Sequence, residues 1–98
     1  QYEKSEKLFL NAIDIAKDLG LAWSIAQIQV QLCDLYFVQE RLTESLMMIE
    51  ASIKQTLPDF YIRLGSAYSY KARTLARLER LGEAKTAMTA SLESHGKA

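Results

Sequence analysis

Six residues between positions 63 and 80 are of the types that grip anions. Arg63, Ser66, Tyr70, Arg73, Arg77 and Arg80 follow one another at spacings of three, four, three, four and three. That rhythm places all six on one stripe of a helix. A guanidinium fork holds a carboxylate or phosphate bidentately, so the stripe could hold an acidic segment. The plainer reading is a solvated face closed by local ion pairs, through Glu79 or Glu83. A second set, Gln27, Val30, Gln31, Asp34, Phe37 and Val38, is neutral and rich in amides. Its glutamines could hydrogen-bond an extended peptide backbone; the plainer reading is a wet stripe with Phe37 and Val38 tucked under a turn.

Little else in the chain suggests chemistry. His95 is the only histidine and stands near the end of the chain. Cys33 is the only cysteine, with no histidine near it in sequence, so a buried structural thiol is expected rather than a nucleophile. Trp23 is expected to pack against Leu19 or Leu21, with a partner-binding hot spot as the alternative. One of Met47 and Met48 belongs to a core, or both line an adaptable interface. There is no phosphate loop, metal-ligand spacing or nucleophile elbow. No catalytic residue, metal or cofactor is therefore assigned, and the expectation is a protein that is not an enzyme.

The elements that position these residues are helical. Ninety-eight residues suit one domain, and 49% hydrophobic content supports a small core. No run of about 18 apolar residues marks a membrane span, and the polar start is not a signal peptide. The chain does not begin with Met, and a piece of a longer protein is expected. Net charge is zero, yet residues 1–58 carry 5 Lys/Arg against 8 Asp/Glu (−3) and residues 59–98 carry 7 against 4 (+3). Such a local asymmetry does not make the chain a nucleic-acid binder. A lone cysteine agrees with a reducing, intracellular compartment, cytoplasmic or nuclear.

Five helices are read at 2–19, 22–39, 42–56, 58–79 and 81–94. In the first, Leu8, Phe9, Ala12, Ile13, Ala16 and Leu19 recur on one face, and Gly20 stops it. The second alternates apolar and polar from Ala26 to Leu32, as a strand would. The wider polar set Ser24, Gln27, Gln31 and Asp34 is a helical stripe on an otherwise apolar cylinder, which argues for a helix sandwiched between neighbours. It leaves Gln29 needing a partner or an opening. The third buries Leu42, Leu46, Ile49 and Ile53. Pro58 and Asp59 are expected in the first turn of the fourth, whose apolar side is Phe60, Leu64, Ala67, Tyr68, Ala72, Leu75 and Leu78. The fifth turns Leu81, Ala84, Met88 and Leu92 inward, and residues 94–98 are expected to fray.

Aligning Tyr2, Leu42 and Leu81 gives two steps of roughly 40 residues each, a period typical of solenoids. Three copies then read large, small, large, small: Tyr2, Ser5, Phe9, Ala12; Leu42, Ser45, Ile49, Ser52; and Leu81, Ala84, Met88, Ser91. A second motif occurs as Leu32, Cys33, Tyr36 and as Lys71, Ala72, Leu75. The pattern resembles the tetratricopeptide repeat, in its longer-helix form. Lys71 departs from that pattern, and Gln29 and Tyr68 stand where a Trp-like anchor is usual.

The resemblance implies an all-α, right-handed α-solenoid of antiparallel helical hairpins, acting as a protein-interaction or scaffold module. In that family the first helix of each pair lines a concave groove. The implied partner-binding residues are Gln27, Gln31, Asp34, Arg63, Tyr70, Arg73 and Arg77. The partner would be a protein or peptide, with an acidic segment fitting the arginines. Family members that clamp chaperone C-termini use Lys and Asn where this chain has Val30, Gln31 and Asp34, then Ser69, Tyr70 and Arg73, so that clamp is not expected. The alternative is an architectural segment acting through its ends, by stacking or by homo-oligomerisation. RNA binding is third: it needs aromatics interleaved with the basic residues, and only Tyr70 lies on the stripe.

Overall fold

The computed structural model describes residues 1–97. They form five helices, α1 (Tyr2–Asp18), α2 (Ala22–Val38), α3 (Leu42–Gln55), α4 (Tyr61–Arg77) and α5 (Leu81–Lys97). Consecutive helices pack antiparallel. The most extensive contacts join α2 to α3 and α4 to α5; α1 packs on α2 and α3 on α4. Among the described residues α2 also touches α4, whereas α3 touches neither α1 nor α5. The result is a slab of 33 × 30 × 15 Å. None of its helices is long and apolar enough to cross a membrane.

The three tight joints share one geometry. Gly20, Glu40 and Glu79 all take left-handed backbone, with φ of 69°, 62° and 61°. In each, the next amide reaches back to the last helical turn: Leu21 N–H to Ala16 O, Arg41 N–H to Tyr36 O and Arg80 N–H to Leu75 O, all at 2.9 Å. These are Schellman closures, which satisfy carbonyls that a helix end otherwise leaves bare. Glycine enters this region freely, but at each glutamate the Cβ costs about 1 kcal/mol. Only the first joint is therefore legible from a glycine.

The fourth connection differs. The helix expected to begin at Pro58 begins at Tyr61, with Phe60 as its N-cap. Phe60 N–H bonds Leu57 O at 3.1 Å, which closes a turn over Leu57-Pro58-Asp59-Phe60. Proline's fixed φ suits the second position of such a turn as well as a first helical turn. Asp59 is thus an exposed turn residue rather than part of the helix.

The core explains why α2 is helical despite its alternation. Ile25, Ala26, Gln29, Leu32, Cys33 and Tyr36 are buried on it, at helical spacings, because α1, α3 and α4 surround it. Gln29 is buried without a protein partner for its Oε1. Small residues sit where helices cross. Ser52 Oγ donates to Ala26 O at 2.8 Å, and Ser91 Oγ donates to Gly65 O at 2.7 Å. Each hydroxyl needs a backbone oxygen close by, so the pair marks two matching close approaches, one in α2–α3 and one in α4–α5.

Several expected inward residues are exposed instead. Leu8 on α1, Leu19 at its C-cap, and Leu81, Met88 and Leu92 on α5 face solvent. Phe60 is also exposed, while Leu64, Tyr68 and Leu78 are only half-buried. The cause at the ends is coverage: α1 and α5 each pack against one neighbour only, so half of an apolar face meets nothing. The fraying expected from residue 94 is replaced by regular helix through Lys97. His95 settles so closely over Gly65 that a Cβ there would lie 2.7 Å from its Nε2. Ala98 lies outside the described residues.

Candidate functional site

The seven residues expected to bind a partner all lie on α2 and α4, the two helices that run side by side. Gln31, Asp34 and Arg77 are exposed; Gln27, Arg63, Tyr70 and Arg73 are half-buried. Gln31, Asp34 and Tyr70 share the wall of one open depression of about 350 Å³, together with Ser5, Phe9, Val30, Leu35 and Val38. That wall mixes aromatic rings, three aliphatic side chains, an amide and one carboxylate.

The arginines of the stripe are engaged within the molecule. Arg73 Nη2 donates to Asp34 Oδ1 at 3.0 Å, while its Nε is buried without a partner. Its guanidinium carbon lies 3.7 Å from the Phe37 ring centre and 5.0 Å from that of Tyr70. Arg77 pairs with Glu40 and approaches the same Phe37 ring at 5.3 Å. Arg80 is held by Glu83, one helical turn on, at 2.7 Å. The expected local pairing thus describes Arg80 alone. For Arg73 and Arg77 the partners come from α2 and its C-terminal joint, so these cations tie α4 to α2. A charge reversal at Arg73 and Arg77 removes that tie along with any ligand contact. A purely electrostatic attraction for an acidic segment is weakened, because each of these arginines already pairs with a carboxylate.

Arg63 is the exception. It stacks over the Trp23 ring at 4.3 Å, and among the described residues it makes no hydrogen bond or ion pair with a side-chain partner. Trp23 itself is half exposed (53%), as are Leu19 and Leu21. Trp23 helps to wall a pocket of about 210 Å³, with Ala22, Ala26, Gln55, Thr56, Leu57, Phe60 and Arg63.

A polar knot not anticipated from sequence lies at the other end of α2. Glu6 accepts from Arg41 Nη1 and from Tyr36 O–H, each at 2.9 Å. Arg41 also grips Glu44 at 2.9 and 2.6 Å and stacks on Tyr36 at 4.4 Å. The hydrogen bonds from Arg41, then Tyr36, hold the Glu6 carboxyl below its ordinary range. Burial, then the bond to Glu6, pushes the Tyr36 phenol up to about 12. Such a network couples three helices and carries no free group for catalysis. The only signal for it is the recurrence of Arg41 and Arg80 at the joints, each with a glutamate three positions on.

Cys33 is buried, and burial pushes its thiol up. Its Sγ lies 3.2 Å from Ser45 Oγ, which donates to Cys33 O at 2.8 Å and also meets Thr74 Oγ1 at 3.3 Å. A raised, enclosed thiol is a poor nucleophile. Among the described residues no three His, Cys, Asp or Glu side chains gather to hold a metal ion. Comparison with known proteins adds no assignment: no family model, curated protein or solved structure matches the chain.

Proposed function

We propose that the chain is a segment of a tetratricopeptide-like α-solenoid that binds a partner peptide across the α2–α4 face, without catalysis. The observation that carries this reading is the equal construction of α2–α3 and α4–α5. Their joints, their Ser52 and Ser91 bonds, and their Arg41–Glu44 and Arg80–Glu83 pairs all recur in the register that sets Leu42 on Leu81. Units built alike and stacked through first helices are how repeat proteins form extended binding surfaces. Recognition then rests on Gln27, Gln31 and Tyr70 with the apolar Phe9, Val30 and Val38. An acidic segment gains less from Arg73 and Arg77 than their number suggests. A cytoplasmic setting agrees with the free thiol of Cys33.

Selection of displayed random peptides against the chain, with binding mapped by backbone amide shifts, tests this. Shifts gathered on 27–38 and 63–73, lost in Gln31→Ala with Tyr70→Ala, are expected. Shifts confined to the outer faces of α3 and α5 would overturn it.

A second reading has one observation in its favour. Leu81 and Met88 border an open depression of about 370 Å³ with Ser69, Ala72, Arg73, Ala76, Ala84 and Lys85, at the side of α5 that nothing among the described residues covers. An architectural segment would stack there on a further helix or a second copy. Light scattering decides: a dimer that dissociates in Met88→Glu supports this reading, and a monomer at high concentration removes it.

A further inference from the structure

The pocket beside Trp23 has a counterpart that the fold fills. In the register that sets Leu42 on Leu81, Ala26 falls on Gly65 and Thr56 falls on His95. In α4–α5 the His95 ring lies directly on Gly65. In α2–α3 the helix ends at Gln55, the backbone turns extended at Thr56, and no side chain follows into that place. What remains is the 210 Å³ pocket, with Trp23, Leu57 and Phe60 among its walls and all three exposed at its mouth. Its volume is below the roughly 300–1,000 Å³ that encloses a drug-sized ligand. It fits one large apolar side chain.

The charge at the mouth selects what accompanies that side chain. Arg41, Arg73, Arg77 and Arg80 each hold a carboxylate of this chain; Arg63 holds none among the described residues. Its guanidinium face lies on Trp23, which leaves the in-plane N–H groups free to form a fork. Ala22, the first residue of α2, and Phe60, the N-cap of α4, both line the pocket, and neither helix has a side-chain cap. Their dipoles favour an anion there. Asp59 lines the adjoining depression with Arg63 but forms no ion pair with it.

We propose that this pocket is a docking site for a partner peptide that inserts a leucine or phenylalanine and sets a neighbouring carboxylate on Arg63. The site is lined by residues other than those of the Gln31–Tyr70 depression, and it stands whether or not that depression binds a partner. Trp23 backs the guanidinium on one face, and a side chain inserted beside it would shield the fork further.

Trp23 is the only tryptophan, so its fluorescence reads the pocket directly. The probes are three acetylated pentapeptides with amidated ends: Asp-Leu-Phe between glycines, its Asn-Leu-Phe counterpart, and Asp-Ala-Ala. The first is expected to shift the emission saturably, with the Asn form bound about fivefold more weakly, the scale of an exposed charge-assisted contact. The Asp-Ala-Ala form should give no saturable shift. Arg63→Gln should erase the preference for Asp over Asn while retaining the weaker binding, and circular dichroism should show its helices unchanged. Thr56→Phe, which fills the pocket from within and leaves Trp23 the only tryptophan, should abolish the response to the Asp-Leu-Phe and Asn-Leu-Phe peptides. Equal isotherms for the Asp and Asn peptides, no response to any peptide, or an Asp preference that survives in Arg63→Gln would each overturn the proposal. So would a Trp23 shift that light scattering traces to self-association. Peptide shifts at 27–38 without any Trp23 response would overturn this proposal and leave the α2–α4 reading intact.

Discussion

The hairpins α2–α3 and α4–α5 have the same backbone plan and different chemistry. Both turn through a Schellman closure, both brace that turn with an Arg–Glu pair, and both cross at a serine bonded to a backbone carbonyl. Yet the middle of the first holds Cys33 and Ser45, and the equivalent positions of the second hold Ala72 and Ala84. The neighbours differ too. Ser45 donates to Cys33 O within its own hairpin and also meets the Thr74 hydroxyl of α4, whereas α5 has no further helix among the described residues to offer such a contact. The same difference appears in Ile49, fully buried, and its equivalent Met88, 43% exposed. Equivalent positions share a backbone, and the cover over their side chains differs.

The comparison can be broken most sharply at that last pair. Ile49→Ala should cost about 2–5 kcal/mol by chemical denaturation, as deletions of fully buried side chains do. Met88→Ala should cost less than about 1 kcal/mol, since much of its surface is already in water. Similar losses at both sites would mean that α5 is covered in solution. Next come the two serines. Ser52→Ala and Ser91→Ala each remove one buried bond of nearly equal length, and each should destabilise by about 1–2 kcal/mol. A difference larger than about 0.5 kcal/mol between them would end the claim of equivalent crossings.

The arginines come third. Arg41 serves Glu6 and Glu44 together, while Arg80 serves Glu83 alone. Glu6 is held below its ordinary range in the fold, so it contributes stability that is present above its unfolded pKa. That contribution is lost as pH falls through the lower folded value. Arg41→Ala should therefore flatten the loss of thermal stability below about pH 4.3, and Arg80→Ala should flatten it less. Melting curves from neutral to strongly acidic pH give the ranking, and the reverse order would contradict the three-helix role of Arg41. The smallest effect is expected from Gly65→Ala with His95→Thr, which gives α4–α5 the residues of α2–α3. Helix propensity gains about 1 kcal/mol at Gly65, and the lost ring packing offsets part of it. Net stabilisation below about 1 kcal/mol is expected, together with a new apolar depression that takes up a fluorescent hydrophobic dye.

Much of the fold is legible because it is written in local terms. Gly20 marks a joint by its conformational freedom, and the 3.6-residue stripes of α1, α3 and α5 mark helices without reference to anything distant. A period of roughly 40 residues shows in Leu42 and Leu81. The start of α4 is ambiguous in sequence because Pro58 satisfies two local grammars at once, and only packing chooses between them. The candidate site is legible as a list of residues but not as a set of interactions. Arg73 and Asp34 pair across two helices, and no helical spacing within α4 announces that pairing.

Helices and their order can be read from the chain alone, since each follows from short-range sterics and from hydrogen bonds within a turn or two. Which apolar faces stay bare, as at Leu81 and Leu92, and which arginine keeps a free fork are settled only once the chain has packed. Those outcomes depend on what lies across a few ångströms of space between residues distant in the chain. Charge compensation and coverage are properties of neighbours, and neighbours are chosen only when the helices pack.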